Sequence, residues 1–211
     1  MSSHTTKHLV RNIIVYTCLM FSSVGHAQTT DIRQEMLTGN TRWVSAFALT
    51  ASADKVVIRI NISLLPAGEV NRVALKEKTA LWKAAIDDTW NDRFYVESDD
   101  GESPIHFDVR FTHRDPHHRV VIHPGRWNPD QHNWYINTPP SIVAHEIGHM
   151  IGAYDEYRGG ALSSDHPLID TKSIMGSRAE RGTALPRHLQ LVKRALVEQF
   201  GDIEIRTRQL E

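Results

Sequence analysis

His145-Glu146-Ile147-Gly148-His149-Met150-Ile151-Gly152-Ala153-Tyr154-Asp155-Glu156-Tyr157 demands a helix, then a tight turn, then an open loop, and the rest of the chain is understood from it. His145 and His149 are four residues apart, so on a helix both rings leave one face and can share a metal ion through neutral imidazole nitrogens. Glu146 follows the first of them directly, where its carboxylate can reach a water activated by the metal without being a ligand, as a general base must. Gly152, three residues past His149, is where the helix can end at positive φ and turn back beneath the metal. Asp155 arrives six residues after His149 as the third ligand, with Glu156, one residue out of register, as the alternative. Two imidazoles and one carboxylate leave a fourth position for water, the pattern of a catalytic rather than a structural zinc site.

Outward from this stretch the pattern predicts a mixture of strands and helices. Ser141 is the expected N-cap of the ligand helix, entered from Pro139-Pro140, with Ile142, Val143, Ile147 and Met150 as its apolar contacts. Just upstream, 119–123 and 134–137 are short β-branched or aromatic runs stopped by Pro124-Gly125 and Pro139-Pro140. Earlier still, Ile105, Phe107, Val109 and Phe111 alternate with polar residues as in a strand. Over 70–94, Leu75, Trp82, Ile86 and Trp90 form the apolar stripe of a long amphipathic helix, and at helical spacing the two tryptophans are core rather than a stacking pair for a ligand. Strands are predicted at 43–49 and 55–64, joined by the small polar 51–54, whereas 29–41 is polar and turn-rich and is expected to be a loosely held tail. Downstream, 158–182 is a Gly-rich irregular loop and 186–200 a helix with Leu189, Val192 and Leu196 as its stripe. The tail with Ile203 and Ile205 reads as a strand or a frayed end. The class is α+β.

Two other clusters could hold metal. His113, His117, His118, His123 and His132 fall in turns and strand edges without regular ligand spacing, which points to solvated or hydrogen-bonding histidines. Asp99, Asp100 and Glu102 lack the alternating oxygen pattern of a calcium loop.

The chain has 211 residues, 40% of them hydrophobic, and a formal net charge of −1, enough for one ordinary core and without the basic field that nucleic-acid binding needs. Residues 1–27 have the order of a secretory signal: Lys7 and Arg11, an apolar run over 13–24, then Gly25-His26-Ala27 at the cleavage site. Cleavage after Ala27 leaves 28–211 as a single domain that is exported, to the periplasm or outside, and has no membrane association after cleavage. The one cysteine, Cys18, would leave with the signal, so the mature chain forms no disulfide; a lipid anchor at Cys18 is the alternative.

His145-Glu146-x-x-His149-x-x-Gly152-x-x-Asp155 resembles the extended signature of the metzincin zinc metallopeptidases, in the variant with aspartate as third ligand found in small secreted enzymes of the snapalysin type. The resemblance implies one catalytic Zn2+ and a mixed β-sheet with a backing helix, an active-site helix, a methionine turn and a C-terminal helix. It assigns Met175, in Ser173-Ile174-Met175-Gly176, to that turn as a hydrophobic base beneath the metal. It also implies an antiparallel edge strand lining the cleft and pairing with extended substrate, a place open to 119–123 or 134–137. The function implied is a secreted zinc endopeptidase acting on proteins or peptides, with Glu146 as its base. The alternatives are a non-catalytic zinc protein presenting a groove and an amidase of cell-wall peptides. Two features depart from the family. Where some members keep an oxyanion-supporting tyrosine, two residues after the methionine, this chain has Ser177, leaving Tyr154, Tyr157, His166 and His188 as substitutes. No mature cysteine is available to hold the enzyme latent.

Overall fold

In the computed structural model, which describes residues 27–52, 54–99 and 101–208, the sheet grows outward from β3 (Val56–Pro66). Val56, Ile58, Ile60 and Ile62 are buried on one face while Val57, Arg59 and Asn61 alternate with them, the period of a half-buried strand. β5 (Gly101–Phe111) runs parallel to β3 from Val56↔Ile105 to Ile62↔Phe111, and α1 (Arg72–Trp90) is the helical crossover that such a pair requires. β4 (Phe94–Ser98) lies antiparallel between β5 and β8 (Glu204–Thr207). β2 (Thr41–Ala51) pairs with β3 only over Ala48–Ala51, and β6 (His118–His123) takes up parallel pairing with β3 from Ile62 onward. β7 (Asn133–Tyr135) adds to β6, again parallel.

The sheet therefore divides, and the first half of β2 is free to reach across to α2 (Pro140–Met150). Helix α1 buries Trp82, Ile86 and Trp90 against α2 and β5 in one continuous hydrophobic cluster. Each tryptophan also donates its indole N–H, Trp82 to Thr138 O at 3.1 Å and Trp90 to Ala144 O at 2.9 Å. These stripe residues are core, as their spacing predicts, and they also pin the ligand helix from behind. A 3-10 turn at Pro186–Leu189 leads into α3 (Gln190–Phe200). The fold is α+β, with a curled open sheet and three α-helices among the described residues.

Four expectations need correction. Residues 29–41 are no tail: β1 (Gln28–Thr38) pairs along its whole length with β2, through a two-residue turn in which Gly39 takes φ 53. Thr30, Ile32 and Met36 face inward there, and backbone pairing with β2 holds a segment too polar to read as a strand. The long helix stops at Trp90, not at 94, because Asn91 leaves it to bond both backbone groups of Phe107 and Asp92 takes φ 55. Phe94 thus opens β4, which was not foreseen. Ser141 is not the N-cap; Pro139 at φ −58, ψ 140 holds that position and Pro140 starts the helix, where a missing N–H costs nothing. Finally, β6 and β7 are both parallel to their neighbours, so the antiparallel edge strand of the metzincin resemblance is not at 119–123 or 134–137.

The segment expected to be a secretory signal lies, up to residue 26 and with its apolar run and Cys18, outside the described residues, as does Asp100. Among the described residues no helix is long and apolar enough to cross a membrane.

Candidate metal centre

Helix α2 carries His145, Glu146 and His149, all buried, and ends at Ile151. Gly152 then takes φ 97, and a Cβ there would lie 2.8 Å from Leu191 Cβ, so both the turn and the close approach of α3 exclude a side chain. The turn brings Asp155 back to the two histidines. His145 Nε2 and His149 Nε2 stand 3.3 and 3.4 Å from Asp155 Oδ1.

The tautomers decide what this cluster is. His145 Nδ1 lies 2.8 Å from Ile174 O and His149 Nδ1 lies 2.9 Å from Ala153 O; a carbonyl only accepts, so each Nδ1 carries the proton. Each imidazole therefore turns its Nε2 toward a carboxylate oxygen. Asp155 Oδ2 accepts from Ala161 N, while Asp155 Oδ1 is buried and has no hydrogen-bond partner. With both Nε2 atoms unprotonated, three lone pairs converge here and would repel one another until a cation sat between them. Burial alone would raise the Asp155 carboxyl, but hydrogen bonding to His145 and His149 and their positive charge outweigh it and hold the group well below the usual range. The donor set fits a divalent ion such as zinc, and it is the only such group among the described residues.

The turn at 173–176 lies directly beneath. Gly176 N donates to Ser173 O at 2.9 Å, closing a four-residue turn, and the Ile174 carbonyl within it orients His145. Met175 is fully buried, with its sulfur against Gly148 so closely that no larger residue fits there. The turn at 173–176, where the metzincin resemblance expects a methionine turn, contributes a carbonyl to His145 and an apolar side chain against Gly148.

His145, His149 and Asp155 open into a cleft of about 350 Å³ walled by Arg42 and Trp43 of β2, by 129–132, by Tyr157 and by 159–161. Larger surface depressions near Phe111 and near Arg208 contain no ligand group among the described residues. Glu146 lines the cleft beside the ligands and is not one of them; burial pushes its carboxyl up to about 7, eased by His145 and reinforced by Asp155 and Asp130. Of the four candidates for oxyanion support, only Tyr157 lines the cleft. Burial and the charges of Asp155 and Glu146 push its phenol up to about 12, so it stays an O–H donor. Tyr154 instead packs edge-on to Trp43 at 5.2 Å, His188 is buried behind the methionine turn against Ser173, and His166 is not part of the cleft wall.

Glu156 is no ligand. Its carboxylate faces away, held by Arg187 Nε at 2.7 Å and Nη2 at 2.9 Å. The five histidines upstream do not converge on a metal: His118 Nε2–H donates to Ala46 O, His117 accepts from Asn61 N, His113 meets Ser63, and His123 meets Asn133. His132 stands at the cleft wall. Two positioning residues had no local signal in the sequence. Trp43 Nε1 and Ser45 Oγ, from β2, both donate to His149 O, at 3.2 and 2.7 Å across more than a hundred residues of chain.

No protein-family model matches the chain, and neither a characterised protein nor a solved structure matches it. The chemistry of the site rests on its own residues and geometry.

Proposed function

We propose that the protein is a zinc-dependent endopeptidase of metzincin type, exported by its N-terminal signal and acting on proteins or peptides. The observation that carries this reading is the convergence of His145 Nε2, His149 Nε2 and the unpartnered Asp155 Oδ1 at an open cleft, with a non-ligand carboxylate, Glu146, beside them. When bound, zinc supplies a Lewis acid for the scissile carbonyl and acidifies water. Glu146 takes the proton from the attacking water as its oxygen bonds to the carbonyl carbon, then returns it to the amine nitrogen as the C–N bond breaks. Tyr157 brings the O–H that the developing oxyanion needs within the same cleft.

Glu146→Gln tests the assignment. The variant should bind one zinc per chain by metal analysis and lose peptide hydrolysis by at least about a thousandfold. Full activity in E146Q removes the proposed base; a zinc-loaded parent inert on a broad peptide library points to the non-catalytic alternative; cleavage of cell-wall peptides alone points to an amidase.

A further inference from the structure

Asp155 is the one ligand that no helix holds. It stands on an irregular loop, and its neighbour Glu156 is a buried carboxylate that must be paired. Arg187 pairs it in a two-pronged contact and uses Nη2 a second time on Asp170 Oδ2 at 2.6 Å. The backbone follows the same line: Glu156 N donates to Met175 O at 2.7 Å and Asp170 N to Glu156 O at 3.0 Å. His188, next to Arg187, accepts from Leu185 N at its Nδ1, so its Nε2 carries the proton, facing Ser173 Oγ at 3.0 Å and Glu156 Oε1 at 3.3 Å. Ser173 Oγ in turn accepts from Met175 N.

One short turn, Pro186–Leu189, thus grips both halves of the site that lie off helix α2. Through Glu156 it fixes the loop of Asp155; through Ser173 it fixes the turn whose Ile174 carbonyl orients His145. We infer that Arg187 is a positioning residue of the metal centre, setting Asp155 through Glu156 and Asp170 without touching metal or substrate. A methionine at 187 removes the fork from Glu156 and Asp170 and leaves the buried Glu156 carboxylate facing His188 Nε2 at 3.3 Å, so Glu156 shifts and carries with it the residue bonded to Asp155. A lysine keeps the charge but cannot fork to two carboxylates.

The inference rests on the metal-centre reading and not on peptidase activity, so its test reads metal. Zinc affinity is measured by competition with a chromophoric chelator, and the cobalt-substituted protein gives a visible absorption spectrum sensitive to ligand geometry. R187M should bind zinc about 10- to 100-fold more weakly than the parent, the usual penalty for removing an outer partner of a ligand, with an altered cobalt spectrum. R187K should fall between the two. D108N, which breaks an ion pair with Arg59 and Arg110 away from the site, should lower melting temperature but leave zinc affinity and spectrum unchanged. Zinc affinity in R187M within about twofold of the parent, with an unshifted spectrum, overturns the inference. If R187M does not fold, parent-like affinity in R187K overturns it instead. A parent that binds no zinc defeats the reading beneath, a different result from a parent and an R187M that bind it equally.

Discussion

Tyr157 shows what a single position can and cannot reveal. Four side chains in the sequence offered a donor for the oxyanion, and nothing in their spacing ranked them, because the loop after Gly152 has no period from which to project a direction. In the folded chain Tyr157 alone of the four faces the cleft. Tyr157→Phe should therefore lower kcat by about a hundredfold, with KM and bound zinc near the parent's, as for loss of one oxyanion donor. Steady-state kinetics on a cleavable peptide check this, and an unchanged kcat returns the role to another group. The ligands behave differently. His145 and His149 were legible because helical geometry alone places them on one face, and Asp155 because a glycine at the helix end leaves the chain few ways to continue.

At the scale of elements, α2 is held by its neighbours more than by its own sequence. It has no side-chain N-cap, it is almost wholly buried, and its carbonyls at Ala144 and His149 accept from Trp90 of α1 and from Trp43 and Ser45 of β2. Trp90→Phe keeps an aromatic ring and removes the indole donor. It should cost about 1–2 kcal/mol, seen as a lower urea midpoint with an unchanged slope. A midpoint equal to the parent's means the bond to Ala144 contributes nothing net. The stripe of α1 was readable as core from its spacing. That Trp90 donates to α2 and Trp82 to Thr138 just ahead of it was not, since those partners lie more than fifty residues away.

For the whole molecule, the division of the sheet is the organising feature, and His118 sits at the dividing point, in β6 with its ring on Ala46 O of β2. Burial pushes His118 down to about 4, the bond to Ala46 opposes this, and His117, His132 and Arg33 add to it. The unfolded chain binds a proton here between pH 6.5 and 4 and the folded chain does not, so stability is full above about 6.5 and falls as pH drops toward 4. The single site accounts for about 3 kcal/mol over that window. His117 and His188 are shifted in the same direction by burial. Denaturant titrations of the parent and H118Q should show a shallower acid slope in the variant; identical slopes assign the acid loss elsewhere. Metal acts on the same balance. A zinc concentration a thousand times the dissociation constant adds about 4 kcal/mol, so chelation should lower the melting temperature. E146Q should respond to zinc like the parent and H149A should not, because only the second loses a ligand.

What the sequence determined by itself is local: two histidines on one helical face, a carboxylate beside the first, a glycine where the helix must turn, a second carboxylate within reach, a methionine placed in a turn downstream, and the α+β alternation of periods 2 and 3.6. Each depends on residues close together along the chain, where backbone geometry converts spacing directly into direction. Tertiary structure alone decided that a polar segment becomes β1, that β6 and β7 run parallel, that Tyr157 and not Tyr154 faces the cleft, that Arg187 pairs with Glu156, and that Trp43 and Ser45 donate to the His149 carbonyl. These depend on pairings between distant segments. Their stability comes from backbone hydrogen bonds and burial that exist only once both partners are in place, and no pattern within either segment encodes them.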